Sequence, residues 1–153
     1  MTDKTLLVEA IQSGTVIDHI PAGQALHIVE LLRIKDHPEA VTLGLNLVSK
    51  RLGKKDIIKI GGRLLTEAEA GEIAVFAQGA RINLIKHYKV INKMIAALPE
   101  VLKKILVCPN ANCITRCEPV DTLFHVISAS LPKCSEMSQR TVSIGIIKSP
   151  SKV

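Results

Sequence analysis

Aromatic side chains are nearly missing from this 153-residue chain: Phe76, Tyr88 and Phe124 make up 2% of it, and there is no tryptophan. That scarcity counts against a protein that reads single-stranded nucleic acid by stacking bases on rings. No apolar run approaches the roughly 18 residues a transmembrane helix needs, so no membrane partner is expected. The start, Met1 to Lys4, leads only into Leu6-Leu7-Val8 before Glu9, too short for a signal-peptide core. A cytoplasmic location is the expectation. Neither a P-loop nor a G-x-G-x-x-G occurs, so a conventional phosphate cradle is missing.

What the chain does have is aliphatic bulk. Apolar residues reach 47%, which excludes a disordered chain. The length suits one ordinary domain or two small ones. Twenty Lys and Arg face fourteen Asp and Glu, a formal charge of +6, so an anionic partner of some kind is expected. The four cysteines are Cys108, Cys113, Cys117 and Cys134, all in the last third. In a reducing compartment such cysteines suit metal better than disulfides. Their placement divides the chain into a metal-free domain, 1–97, and a small metal-stapled domain, 98–153. A unit that small needs a staple. Pro99, in Ala96-Ala97-Leu98-Pro99-Glu100, marks the join.

Along the first domain strands alternate with helices. Leu6–Ile11 and Thr15–Ile20 read as strands, the second with Val16 and Asp18 on one face and Ile17 and His19 on the other. Ala25, Ile28, Val29 and Leu32 recur at helical spacing. Val41–Val48 and Asp56–Ile60 are strands, separated by the basic loop Ser49 to Lys55. Thr66 and Glu69 form a T-x-x-E capping box ahead of a second helix, with Ala70, Ile73, Phe76 and Ala77 as its apolar stripe and Gly79 as its left-handed stop. Ala80–Ile85 and Tyr88–Lys93 follow as strands. The fold class is α+β, a sheet with both helices on one face. The second domain reads as strands at Val101–Val107, Glu118–Val120, Leu123–Ser128 and Val142–Ile147.

Cys108-Pro109-Asn110-Ala111-Asn112-Cys113 is the strongest local signal. Two thiolates four residues apart in a Pro/Asn turn can share one tetrahedral zinc. A pair of buried, unliganded cysteines is the bland alternative. An iron–sulfur site is another, since C-x4-C-x3-C comes within one residue of a plant-type pattern. In the first domain Glu9, Asp18, His19, Lys59, Asn83, Tyr88 and Lys93 sit on or beside strands. Their types suit phosphate and ribose, although composition alone makes them solvated strand ends. Catalysis finds little support. Asp18 and His19, as strand neighbours, should point apart, which is poor geometry for an orienter and its base.

At these residues the chain resembles the regulatory chain of bacterial aspartate carbamoyltransferase. The resemblance is carried by Val8-Glu9-Ala10-Ile11, Gly14 to Pro21, Gly44-Leu45-Asn46-Leu47, Lys55 to Ile60, and Leu106 to Cys113 with Glu118-Pro119-Val120. It implies a non-catalytic subunit with a ferredoxin-like allosteric domain that binds ATP and CTP effectors. It also implies a small zinc-binding antiparallel β domain docking onto catalytic chains, and pairing with a second regulatory chain. The effector contacts it implies are Val8, Glu9, Ala10, Ile11, Val16, Asp18, His19, Lys59, Asn83, Ile85, Tyr88, Val90 and Lys93. Asp18 and Lys59 would hold the ribose, and Lys93 with His19 the triphosphate. Asn110 and Asn112 would face the catalytic chain.

The resemblance stops near Lys133. The family's late C-x2-C appears here as Cys134-Ser135-Glu136-Met137, and a thioether is a poor zinc ligand. The ligands expected are therefore Cys108, Cys113 and Cys134, with Cys117 as a substitute for the fourth. A change of reading frame near Lys133 would also explain the break. Alternatives of another class are a zinc-ribbon nucleic-acid binder, against the reading of no nucleic-acid partner, and a stand-alone nucleotide sensor.

Overall fold

A computed structural model describes residues 10–108, 111–128 and 131–134, with 127–128 and 131–134 as backbone only. The expected strand at Val142–Ile147 and most of that at Leu6–Ile11 lie outside these residues. Ala10 and Ile11 are in neither helix nor strand.

The first unit is a five-stranded antiparallel sheet in the order β2-β3-β1-β4-β5. Its strands are β1 (Gly14–Pro21), β2 (Val41–Ser49), β3 (Gly53–Gly61), β4 (Arg81–Lys86) and β5 (Lys89–Ile95). Helix α1 (Ala25–Leu31) joins β1 to β2, and α2 (Glu67–Ile73) joins β3 to β4. This is the split βαββαβ arrangement of a ferredoxin-like sheet, extended by β5. The β2–β3 hairpin closes more tightly than the sequence suggests. Lys54 and Lys55 belong to β3, which leaves Lys50, Arg51 and Leu52 as the turn.

Both helices cover one face. Ile17 and Ile20 of β1, Ile58 and Ile60 of β3 and Ile82 of β4 are buried with Ala25, Ile28, Ala70 and Ile73 of the helices. Thr15 shares that interior because its hydroxyl is satisfied: Oγ1 donates to Arg63 O at 2.7 Å and accepts from Leu65 N–H at 3.2 Å. Asp56, also fully buried, accepts from the backbone N–H groups of Gly23 and Asn46, both at 2.9 Å. It fixes the approach to α1 against β2.

The capping box forms as the spacing predicts. Thr66 Oγ1 accepts from Glu69 N–H at 3.3 Å, and Glu69 Oε2 accepts from Thr66 N–H at 2.8 Å. Arg63 ties the two helices together, donating to Leu32 O at 2.9 Å and pairing with Glu69. The helix stops at Ile73, so Phe76 and Ala77 of the expected stripe lie in the turns after it.

The second unit holds β6 (Val101–Lys103), β7 (Leu123–Ser128) and β8 (Leu131–Cys134), paired in that order, and a single helical turn, α3 (Ile114–Cys117). Strand β6 is shorter than the expected 101–107, and Glu118–Val120 is irregular. Phe124, Leu102, Leu106, Ile105, Cys108 and Cys113 form its core, with Val75 from the end of the α2 region. Phe76 and Leu98 pack against both cores, and His27 of α1 stacks on Phe76 at 5.4 Å. The helices thus sit between the first sheet and the second unit.

Candidate effector face and cysteine centre

Residues directly opposite one another in an antiparallel sheet carry their side chains on the same face. Thr42, Lys59, Val16, Asn83 and Lys93 form one such row across all five strands. The adjacent row, Leu43, Ile58, Ile17, Ile82 and Met94, faces the helices, and its three middle side chains are fully buried. The Lys59 row therefore belongs to the face on which the described residues place no helix, and Lys59 itself is buried there. By the same alternation Asp18, opposite Arg81, and Ile85, opposite Gly14 and Val90, lie on it too.

Seven of the expected effector residues, Val16, Asp18, Lys59, Asn83, Ile85, Val90 and Lys93, thus share one surface. At its lower end the two-residue β4–β5 turn puts His87 and Tyr88 at φ 51° and 61°, left-handed values that cost non-glycine residues. Tyr88 N–H donates to Gln12 O at 2.9 Å, which ties the turn to the segment just after Ala10 and Ile11. Tyr88 is two-thirds exposed. Val8 and Glu9 lie outside the described residues.

At the opposite end the structure corrects the strand reading of Asp18 and His19. The β1–β3 register slips between Ile17 and Ile20, and His19 has φ 61°. This bulge lets Ile17 and Ile20 both face the core and leaves the two residues between them on the outside. Asp18 and His19 therefore meet instead of pointing apart. His19 N–H donates to Asp18 Oδ1 at 2.6 Å, and His19 Nδ1 lies 3.3 Å from Asp18 Oδ2. Nδ1 is buried and makes no well-aligned hydrogen bond among the described residues.

Lys55 completes this corner. Its Nζ is 2.7 Å from Asp18 Oδ1 and 3.0 Å from Oδ2. Sequence reasoning left Lys55 in a basic loop; only the register Pro21↔Lys55 brings it beside β1. Burial pushes the Asp18 carboxyl up, but the Lys55 hydrogen bond, the His19 N–H and the Lys55 charge outweigh it and hold the group below 3.8. Burial likewise pushes the His19 imidazole below 6.5. Asp18 opposes this, and Lys55, Arg81 and Arg51 reinforce it.

In the second unit Cys108 and Cys113 are both buried beside Phe124, and Cys117 is exposed. Cys113 precedes α3, and its Sγ lies 3.1 Å from Thr115 Oγ1. Arg116 donates to Cys108 O at 3.3 Å, drawing the two ends of the loop together. Cys134 ends β8 at the register position opposite Phe124. Among the described residues no group of three or more His, Cys, Asp and Glu side chains is placed to hold a metal ion. Asn112 is exposed; Asn110 and Met137 lie outside the described residues.

A sheet face carrying Val16, Lys59, Asn83 and Lys93, backed by two helices that pack against a small cysteine-bearing unit, sets out a protein of two parts. Comparison with known proteins names the parts. Residues 6–96 match the allosteric domain of the aspartate carbamoyltransferase regulatory chain, and residues 100–135 match its metal binding domain. Regulatory chains from Proteus mirabilis and Photorhabdus laumondii are 48% and 47% identical to this one over 124 residues. Those matches cover 81% of this chain and 82% and 80% of theirs. The regulatory chain of Chromobacterium violaceum is 47% identical over 122 residues, 80% of each chain. The chain belongs to the family of aspartate carbamoyltransferase regulatory chains, and its role is regulatory, not catalytic.

Proposed function

We propose that this chain binds nucleoside triphosphates of the ATP and CTP type across the bare face of its first sheet. Occupancy would then bias catalytic chains of aspartate carbamoyltransferase docked on its second unit, for control of pyrimidine biosynthesis. The observation that carries this reading is the order of groups along the face. Ala10, Ile11, Ile85, Tyr88 and Val90 gather at one end, where strand-edge backbone can read a base. Lys59, Asn83 and Lys93 share the middle row, suited to ribose and the first phosphates. His19 stands at the cationic end. Both Asp18 oxygens already face Lys55, so Asp18 orients the corner and is a weaker choice for the ribose.

The two buried cysteines suit a soft, thiolate-preferring metal, and zinc is the one proposed. Cys108 and Cys113 would hold it with Cys134. When bound, it would cross-link the loop before α3 to β8 and contribute folding energy to a core of few side chains. Asn110 and Asn112, on the same loop, would meet the catalytic chain. A second regulatory chain would cover the exposed Leu43, Leu45 and Val48 of edge strand β2. A change on the sheet can reach the second unit through α1, α2 and the shared Phe76 and Leu98.

The test is calorimetric titration of the full chain with CTP and ATP. Lys59→Met and Lys93→Met should each weaken binding at least about tenfold, the scale of a lost charge-assisted phosphate contact. Unchanged affinity in both variants would overturn the placement.

A further inference from the structure

The second unit has few donors to offer a metal. Cys108 and Cys113 are buried in one core with Phe124, and Cys134 stands at the register position opposite Phe124. Cys117 is exposed at the end of α3. No other described His, Cys, Asp or Glu forms with Cys108 and Cys113 a group able to hold a metal ion. Outside the described residues, 109–110, 129–130 and 135–153 add no Cys, His or Asp, and a single acidic residue, Glu136. Residues 1–9 lead into the first sheet. Met137 offers a thioether, a poor zinc ligand. Glu136 is separated from Cys134 by one residue, whereas zinc ligands close in sequence typically leave about two to four between them. The chain thus supplies three thiolates to an ion that takes four ligands.

We propose that the metal centre of this chain is a three-thiolate site, Cys108, Cys113 and Cys134, whose fourth position takes a small soft donor from solution, a free thiol. The inference rests on the metal reading above and goes beyond it by fixing how many ligands the chain provides. Three thiolates on a divalent ion leave a net negative charge, and two neighbours suit it. Thr115 Oγ1 lies 3.1 Å from Cys113 Sγ and can donate to the thiolate. The Arg116 guanidinium, donating to Cys108 O at 3.3 Å, sets a positive charge at the same loop, where it offsets a fourth thiolate. A site closed by four protein ligands retains its metal; one with an open position exchanges ligands there. Metal binding is folding energy in so small a unit, so the second unit would respond to the supply of zinc and thiol.

The experiment loads the reduced full chain with Co(II), which takes the place of zinc and reports its ligands by absorption, and then adds mercaptoethanol. In wild type the thiol should shift the visible cobalt bands and raise the thiolate-to-cobalt absorption by about a third, saturably, as three thiolates become four. Cys117→Ser and Glu136→Gln should each respond as wild type does. A wild-type spectrum that the thiol leaves unchanged means a closed site and overturns the proposal, while the metal reading stands. A cobalt spectrum altered by Cys117→Ser or Glu136→Gln before thiol is added makes that residue the fourth ligand and overturns it too. A chain that takes up no cobalt overturns both the proposal and the metal reading.

Discussion

Lys55 Nζ lies 2.7 Å from Asp18 Oδ1, an ion pair that closes over the β-bulge at His19. The pair is mostly shielded from water, so it is worth more than a surface bridge and its rupture leaves a half-buried carboxylate. Lys55→Met should lower stability by about 1–2 kcal/mol in urea melts at pH 7. Asp18 has a folded pKa below its unfolded one. Its contribution is therefore complete above about pH 4 and is lost as pH falls through the folded value. The acid limb of the wild-type stability curve should be steeper than that of the variant.

His19 gives a second pH prediction. Burial disfavours its protonated form, and Lys55, Arg81 and Arg51 add to that against the pull of Asp18. A depressed base favours the folded state fully above pH 6.5, and that stability is lost as pH falls through the folded midpoint. An NMR titration should place the His19 midpoint below 6.5, and Arg81→Ala should raise it. A midpoint above 6.5 in the wild type would contradict the described corner.

Gly14 begins β1 at φ 138°, and a Cβ there would overlap the carbonyl oxygen of Ile60, the residue before its register partner Gly61. Gly14→Ala should cost about 2–4 kcal/mol in thermal or urea unfolding, by strain and by spreading β1 from β3. Thr66→Ala, which removes the capping box of the seven-residue α2, should cost about 1 kcal/mol.

The cysteine centre makes a metal prediction. Cys108→Ser or Cys113→Ser should abolish bound zinc, read as metal per chain by mass spectrometry, and should loosen hydrogen-exchange protection in 100–128 while sparing β1 to β5. Cys117→Ser should leave zinc content unchanged, because that thiol faces solvent. Zinc lost from Cys117→Ser alone would make it a ligand and overturn the assignment.

Strand and helix types were legible wherever one physical rule governed them. Alternation marks β1, helical spacing marks α1, and the Thr66–Glu69 spacing marks the start of α2. The bulge was not legible, because strict alternation in Thr15–Ile20 fits the apolar residues nearly as well as the true 17-to-20 step does. That error turned Asp18 and His19 from neighbours on one surface into residues on opposite faces. Lys55 and Arg81 were invisible as neighbours of Asp18, since they come from β3 and β4, which flank β1 only when the sheet order is known. The polar residues Lys59, Asn83 and Lys93 read as scatter for the same reason: the register of three strands sets them in one row. Family resemblance had marked them; the register supplies the physical reason.

The central claim is that occupancy of the bare sheet face is felt by catalytic chains held on the second unit. The most direct measurement reconstitutes this chain with catalytic chains of aspartate carbamoyltransferase and follows carbamoyl transfer at subsaturating aspartate as CTP or ATP is added. The account predicts a saturable change in rate with each nucleotide, lost in Lys59→Met although the complex still assembles. A complex that forms and binds nucleotide, yet turns over at the same rate with and without it, would contradict the account.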